Sequence, residues 1–253
     1  MNNVILLRGL VREKRHWGDF PKKLEQFLDG GKAIPLDLPG VGQKNDFPAP
    51  LNISDYVREL KPELNSLKRN YSGPWSIIGI SMGGMIALEW LALFPEDFKT
   101  GIIVNSSSSD QVSVLKRMSL ETIQMIAKLF LKNDLKEREK AILNMTTNMT
   151  EINDQLLDSW TQIAKDAPIK RETFIRQILA ASRFKSPLSI SKPLLFIAAK
   201  NDRLAASFNS EKLAKKYSSS FLIHANAGHD LSLDDGPWLI EKTIEWLKKH
   251  EAQ

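Results

Sequence analysis

Apolar positions along this chain follow two rhythms. Short β-rich runs occur at Val4–Arg8, Ala33–Leu38, Trp75–Ile80, Gly101–Asn105, Leu194–Ala198 and Ser220–His224. Between them, apolar residues recur at helical spacing. Tyr56, Val57, Leu60, Leu64 and Leu67 form one stripe, with Ser54 as the expected cap and Pro62 expected to kink the helix or end its first part. Pro237, behind Asp235, opens a last helix whose Leu239, Ile240, Ile244 and Leu247 face inward. Alternation of this kind predicts parallel strands joined by crossover helices, an α/β fold with a doubly wound, mostly parallel sheet.

Between Asp110 and Ser186 the strand signal disappears and about four amphipathic helices are expected. Ser119 is placed to cap Leu120, Ile123, Ala127 and Phe130, and Asp134 with Glu137 forms a capping-box pattern ahead of Ala141, Ile142 and Met145. Leu156, Leu157, Trp160 and Ile163 make a third stripe, and Phe174, Ile175, Ile178 and Leu179 a fourth. Pro187 and Pro193 bracket the return to strand pattern. The expected organisation is an α/β core over 1–107 and 188–253, with a helical cap inserted over 108–187. An insertion leaving from a strand's carboxyl end lies over the crevice where ligands bind in such folds. It holds Met118, Met125, Met145 and Met149, four of the seven methionines, which either fill a helical core or line an irregular apolar pocket.

The remaining chain-wide features mostly exclude. With 253 residues and no cysteine, the chain can bury a sizeable core but has no disulfide framework or thiolate chemistry, and a cytoplasmic location is expected. Val4 to Leu7 is too short an apolar run for a signal peptide's core. Ile77 to Phe94 is long and nearly all apolar, but Ser81, Gly83-Gly84 and Glu89 interrupt it, so a buried strand followed by a buried helix explains it better than a membrane span. The net charge of +5 and pI near 9.2 come from scattered basic pairs among acids, without aromatic interleaving, which argues for a solvated surface and against nucleic acid. The expected partner is a small-molecule substrate; the sequence is silent on oligomeric state.

Chemistry concentrates at Gly79-Ile80-Ser81-Met82-Gly83, where a buried strand gives way to a buried helix. A serine on so tight a turn needs small neighbours, and the turn lifts its hydroxyl clear of the sheet while the Met82 N–H faces any developing negative charge. Serine needs a histidine base, and the histidine needs a carboxylate to fix its tautomer. Of four histidines, His250 lies in the charged tail, His224 within a strand pattern and His16 after a basic loop, while His229 follows Gly228 just beyond a strand. Asp202, at the carboxyl end of the Leu194 strand, is the favoured acid, and Asp110 the fallback. The order Ser81, Asp202, His229 is that of serine enzymes on a doubly wound sheet. A second oxyanion donor is expected from the Leu10 N–H after the first strand, with Gly9 permitting close approach. Trp17 and Phe20 either wall the pocket or pack in the core.

These residues carry a family resemblance. Gly79 to Gly84, the Asp37-Leu38-Pro39-Gly40-Val41-Gly42 turn, Asn201-Asp202-Arg203 and Gly228-His229-Asp230 resemble α/β-hydrolase-fold enzymes with a helical cap. The resemblance implies a nucleophile at Ser81, an acid at Asp202, a base at His229 and backbone donors at Met82 and Leu10, acting on esters or thioesters, sometimes carbon–carbon bonds, without cofactors. Many members have His-Gly after the first strand where this chain has Arg8-Gly9, so Arg8 either ties down its loop through main-chain carbonyls or recognises a carboxylate on the substrate. The Ser81-to-Trp90 region is also similar to the nucleophile region of homoserine acetyltransferases, which pass an acyl group to an alcohol. A non-catalytic binder of small apolar ligands is the rival from another class. Gly40-Val41-Gly42 begins like a dinucleotide fingerprint but lacks its third glycine and following helix, so it reads as a turn, and no metal motif is present.

Overall fold

The computed structural model describes residues 2–112, 124, 129 and 134–250. Six parallel strands form one sheet: β1 (Asn3–Leu7), β2 (Ala33–Leu36), β3 (Trp75–Ile80), β4 (Thr100–Val104), β5 (Leu194–Ala199) and β6 (Ser220–His224). Their spatial order is β2-β1-β3-β4-β5-β6, and all five pairings are parallel. β1, β3, β4 and β5 are buried along their whole length, which is why they read as continuous apolar runs. Alternate residues supply the two sides: Ile5, Leu7, Ile77, Ile103 and Phe196 face one layer, and Val4, Leu6, Ile78, Ile102 and Ile197 the other. Pro35 is confined to the edge strand β2, where its missing N–H costs no ladder bond.

The first layer is built by α2 (Ile53–Asn70) and α3 (Met82–Leu93), through Tyr56, Leu60, Leu64, Ile86 and Trp90. The second is built by α1 (Phe20–Glu25) and the C-terminal helix, through Phe20, Leu24, Leu239 and Leu247. Two local expectations change. Pro62 neither ends nor divides α2: it lies on the exposed face, where the Arg58 carbonyl left without its N–H partner is open to water. Ser54 sits inside the first turn, because the helix starts one residue earlier, behind Asn52.

Between β4 and β5 the chain forms α4 (Leu135–Thr146), α5 (Asp154–Asp166) and α6 (Arg171–Arg183). Asp134 caps α4 by accepting from the Glu137 N–H at 3.1 Å, and Asn153 caps α5 through the Leu156 N–H at 2.9 Å. Leu143, Leu157, Trp160 and Ile163 give these helices an apolar cluster of their own, while Ile175 of the fourth stripe stays exposed. Leu120, Ile123, Ala127 and Phe130 of the first stripe, its Ser119 cap, and Met118 and Met125 lie outside the described residues; of this stretch exposed Gln124 and buried Leu129 are described. After β5 follow α7 (Phe208–Lys216), β6, a single turn α8 (Leu231–Asp234) and the C-terminal α9 (Gly236–His250). Among the described residues, no helix is long and apolar enough to cross a membrane.

The sequence order reverses direction across the sheet between β1 and β3, whose carboxyl ends carry Arg8-Gly9-Leu10 and Ser81. That switch point is where a crevice opens in doubly wound sheets.

Candidate active site

Ser81 joins β3 to α3 with φ 57° and ψ −118°, a backbone conformation that a residue with a side chain rarely adopts. The neighbouring glycines make this turn possible. A Cβ at Gly79 would lie 2.2 Å from the Gly83 carbonyl oxygen, and one at Gly83 would lie 2.4 Å from that of Leu7. The turn is pinned from outside: the Ser81 N–H donates to the Val104 carbonyl at 2.8 Å, and the Ser106 hydroxyl to the Ser81 carbonyl at 2.8 Å. Gly9 brings the loop after β1 against it, since a Cβ there would stand 3.0 Å from the Ser81 Cβ and 3.5 Å from its Oγ. Met82 opens α3, so its N–H is among those without an acceptor inside the helix.

Beyond the ends of β5 and β6, His229 Nδ1 lies 2.7 Å from Asp202 Oδ2. The Asp202 side chain is fully buried, and its other oxygen accepts from the N–H groups of Leu204 and Ala205 at 2.7 and 2.9 Å. These backbone donors fix the carboxylate, which in turn fixes the ring. Burial is the largest influence on the His229 ring and opposes its charge. The Asp202 carboxylate, its hydrogen bond and nearby Asp230 outweigh that, so the ring's pKa lies above the ordinary 6.5. Asp110 is held elsewhere, by the Ser186 N–H at 2.8 Å and Lys216 at 3.0 Å.

Ser81, His229, Met82 and Leu10 all line one cavity of about 230 Å³. Its other walls are mostly apolar: Met85 from α3, Ile142 and Met145 from α4, Ile178 from α6, and Leu204 after β5. Met145 thus serves the cavity as well as packing against Ile142 and Phe174, whereas Met149 is exposed.

Arg8 also lines the cavity, but its fork is occupied. Nη1 donates to Asp230 Oδ1 at 3.0 Å and to the Ser232 hydroxyl at 2.9 Å, and Nη2 donates to Asp230 Oδ2. Of the two roles expected for Arg8, the structure shows it tying down its loop, through the Asp230 carboxylate and not through main-chain carbonyls, with the fork that would recognise a substrate carboxylate taken up. Both partners are buried, and the pair joins the residue before Gly9 to the residue after His229. For Asp230 the largest influence, burial, raises the pKa; the charge and N–H groups of Arg8 and the Ser232 hydroxyl overcome it, so the carboxyl stays below the ordinary 3.8. Trp17 takes the second of its two expected roles, in the core and not in the pocket wall. It lies beneath the Arg8 guanidinium, 5.1 Å from carbon to ring centroid, and packs on Phe20 in the core layer with Val4 and Leu6, outside the cavity lining.

Several residues at this site escape sequence reasoning. Asn105, with φ 48° at the end of β4, accepts from the Ala199 N–H at 2.7 Å and donates to the His229 carbonyl at 2.8 Å. It binds the ends of β4 and β5 to the histidine loop. Asp234 gathers the N–H groups of Gly228, Asn148, Met149 and Thr150 and so docks the histidine loop on the end of α4. Arg12 donates to Glu139 of α4 at 2.7 Å, both side chains nearly buried. An asparagine beginning a serine run after a strand was the one visible signal; the other partners lie far apart in sequence.

The sequence profile of the alpha/beta hydrolase fold family matches residues 2–236. The chain belongs to this α/β-hydrolase family. Monoacylglycerol lipase ABHD6 of Mus musculus is 24% identical over 243 residues, covering 92% of this chain and 71% of that protein. Homoserine O-acetyltransferase of Methanococcus vannielii is 44% identical over 64 residues, which are 25% of this chain and 12% of that enzyme. The chain spans well under two thirds of several curated relatives, only 15% of one longer protein. Among solved structures, the esterase EaEST from Exiguobacterium antarcticum superposes with a TM-score of 0.77 at 19% identity, covering 98% of this chain and 92% of that one. An α/β-hydrolase six strands wide, with helices between β4 and β5, is thus the frame for the Ser81 turn and the Asp202–His229 pair.

Proposed function

We propose that this α/β-hydrolase is a serine hydrolase cleaving a carboxylic ester or thioester of a small or medium apolar acyl group. The observation that carries the reading is the shared cavity: the strained Ser81 turn and the Asp202-oriented His229 ring open onto the same apolar space. In this mechanism His229 Nε2 takes the Ser81 hydroxyl proton as Oγ adds to the acyl carbonyl. The N–H groups of Met82 and Leu10 receive the negative oxygen, and the imidazolium, stabilised by Asp202, passes the proton to the departing alcohol or thiol. Water then enters and gives a proton to His229 as its oxygen adds to the acyl carbonyl, and His229 returns that proton to Ser81 Oγ as the acid departs. Residues 108–187 form the cap over this chamber and 1–107 with 188–253 the core. The walls contributed by α4 and α6 support the cap assignment and match an apolar acyl chain. A cysteine-free chain fits a cytoplasmic working place.

The short stretch shared with a homoserine acetyltransferase favours one second reading, transfer of the acyl group to an alcohol in place of water. A panel of p-nitrophenyl esters and acyl thioesters of rising chain length, with and without alcohol acceptors, tests both. Hydrolysis that peaks at short or medium chains and disappears in Ser81→Ala supports the hydrolase. Turnover that depends on an added alcohol supports the transferase, and undiminished turnover by Ser81→Ala overturns both.

A further inference from the structure

Among the described residues, Val11 is the β-branched one with left-handed backbone, at φ 52°. A branched Cβ makes this region especially costly, so something must hold Val11 there. The Arg12 N–H closes a turn on the Gly9 carbonyl at 3.3 Å, leaving Val11 at the third turn position, where left-handed backbone calls for glycine or asparagine. The missing stabilisation comes from the insertion: the Val11 N–H donates to Gln177 Oε1 at 2.8 Å, and Gln177, on α6, has no exposed surface. Without that acceptor the Leu10–Val11 peptide can flip, which returns Val11 to negative φ, turns the Leu10 carbonyl over and frees the adjoining Gly9–Leu10 peptide to shift.

We propose that Gln177 is a positioning residue: by accepting the Val11 N–H from the cap side, it holds the Gly9–Arg12 turn in its left-handed form and so fixes Leu10 at the cavity it shares with Ser81. The inference rests on the serine hydrolase reading. The cap then does more than roof the chamber. Its docking sets one of the two groups that receive the negative oxygen, so undocking it disarms the chemistry.

The test compares the full-length protein with Gln177→Leu alone and with Gln177→Leu in a Val11→Gly background, using p-nitrophenyl butyrate. Gln177→Leu should lower kcat by about tenfold or more with KM nearly unchanged, since a lost oxyanion donor acts on the transition state. Val11→Gly removes the steric cost of the left-handed turn and should bring kcat of the double variant back to within about threefold of wild type. A purely structural role would lower the melting temperature and active fraction without that rescue. Amide exchange over residues 8–14 gives a second readout: the Val11 amide is protected in wild type and exposed in Gln177→Leu. Active wild type with an unaltered kcat in Gln177→Leu, or an equal loss with and without Val11→Gly, overturns this inference alone. A wild type that turns over no ester overturns it together with the hydrolase reading.

Discussion

Replacing Arg8 with glutamine removes the cation that compensates Asp230, and the structure sets the size of the effect. The Asp230 side chain is 4% exposed, and the residue accepts hydrogen bonds from both terminal nitrogens of Arg8 and from Ser232. Arg8→Gln leaves a buried carboxylate with the Ser232 hydroxyl and at most one amide. Breaking a buried pair in this way costs about 3–5 kcal/mol, a large share of the roughly 5–15 kcal/mol that holds a domain together. The pH dependence identifies the cause. With Arg8 present, the Asp230 pKa lies below its ordinary 3.8, so the pair's stability is complete above that value and disappears only as pH falls through the lowered one. Without Arg8, burial dominates and raises the pKa, so Asp230 destabilises the fold as pH rises through its unfolded value. Urea unfolding from pH 4 to 8 should therefore show Arg8→Gln losing most at neutral pH and recovering part of the deficit in acid. Adding Asp230→Asn should give a loss smaller than the sum of the two single losses. A neutral-pH loss below about 1 kcal/mol, or a deficit independent of pH, would refute the account of Arg8 as the tie between the two loops.

Three other outcomes follow from the same geometry. As the proposed base must be neutral to accept the serine proton, kcat/KM should rise with pH through a midpoint above 6.5, where Asp202 and Asp230 set the His229 ring; a midpoint below 6.5 contradicts that assignment. Asp202→Asn keeps the shape but reverses the hydrogen bond to Nδ1, and ester turnover should fall by about 10⁴ in kcat without a matching change in melting temperature. Gly83→Ala puts a Cβ 2.4 Å from the Leu7 carbonyl oxygen and 2.7 Å from that of Arg8, both rigid backbone, and calorimetry should record a loss of about 1–3 kcal/mol together with loss of turnover.

The parts of this molecule that were legible in sequence are those whose cause is local. The central strands are apolar at every position because helices cover both sheet faces, and the Ser81 turn shows through its glycines because backbone passes within van der Waals distance on each side. Asp202 and His229 were readable because each sits just beyond a strand, where the crevice of a doubly wound sheet must be. What stayed hidden depends on partners distant along the chain. Arg8 meets Asp230 across 222 residues, and nothing near position 8 distinguishes a structural arginine from a substrate-binding one. Trp17 begins a helical stretch as either a pocket wall or a core residue would, and only the sheet face it packs on decides. Pro62 left open whether the helix ends there because its effect depends on which side faces water; here it lies on the exposed side and the helix runs through it.

The central claim is that Ser81 is a nucleophile activated by His229. Mass spectrometry of the protein after brief exposure to a fluorophosphonate probe tests it without any assumption about the substrate. The account predicts one phosphonyl group on the peptide carrying Ser81, absent from Ser81→Ala and strongly reduced in His229→Ala, with all three proteins folded. An unlabelled wild type, or labelling that persists unchanged in His229→Ala, would contradict it.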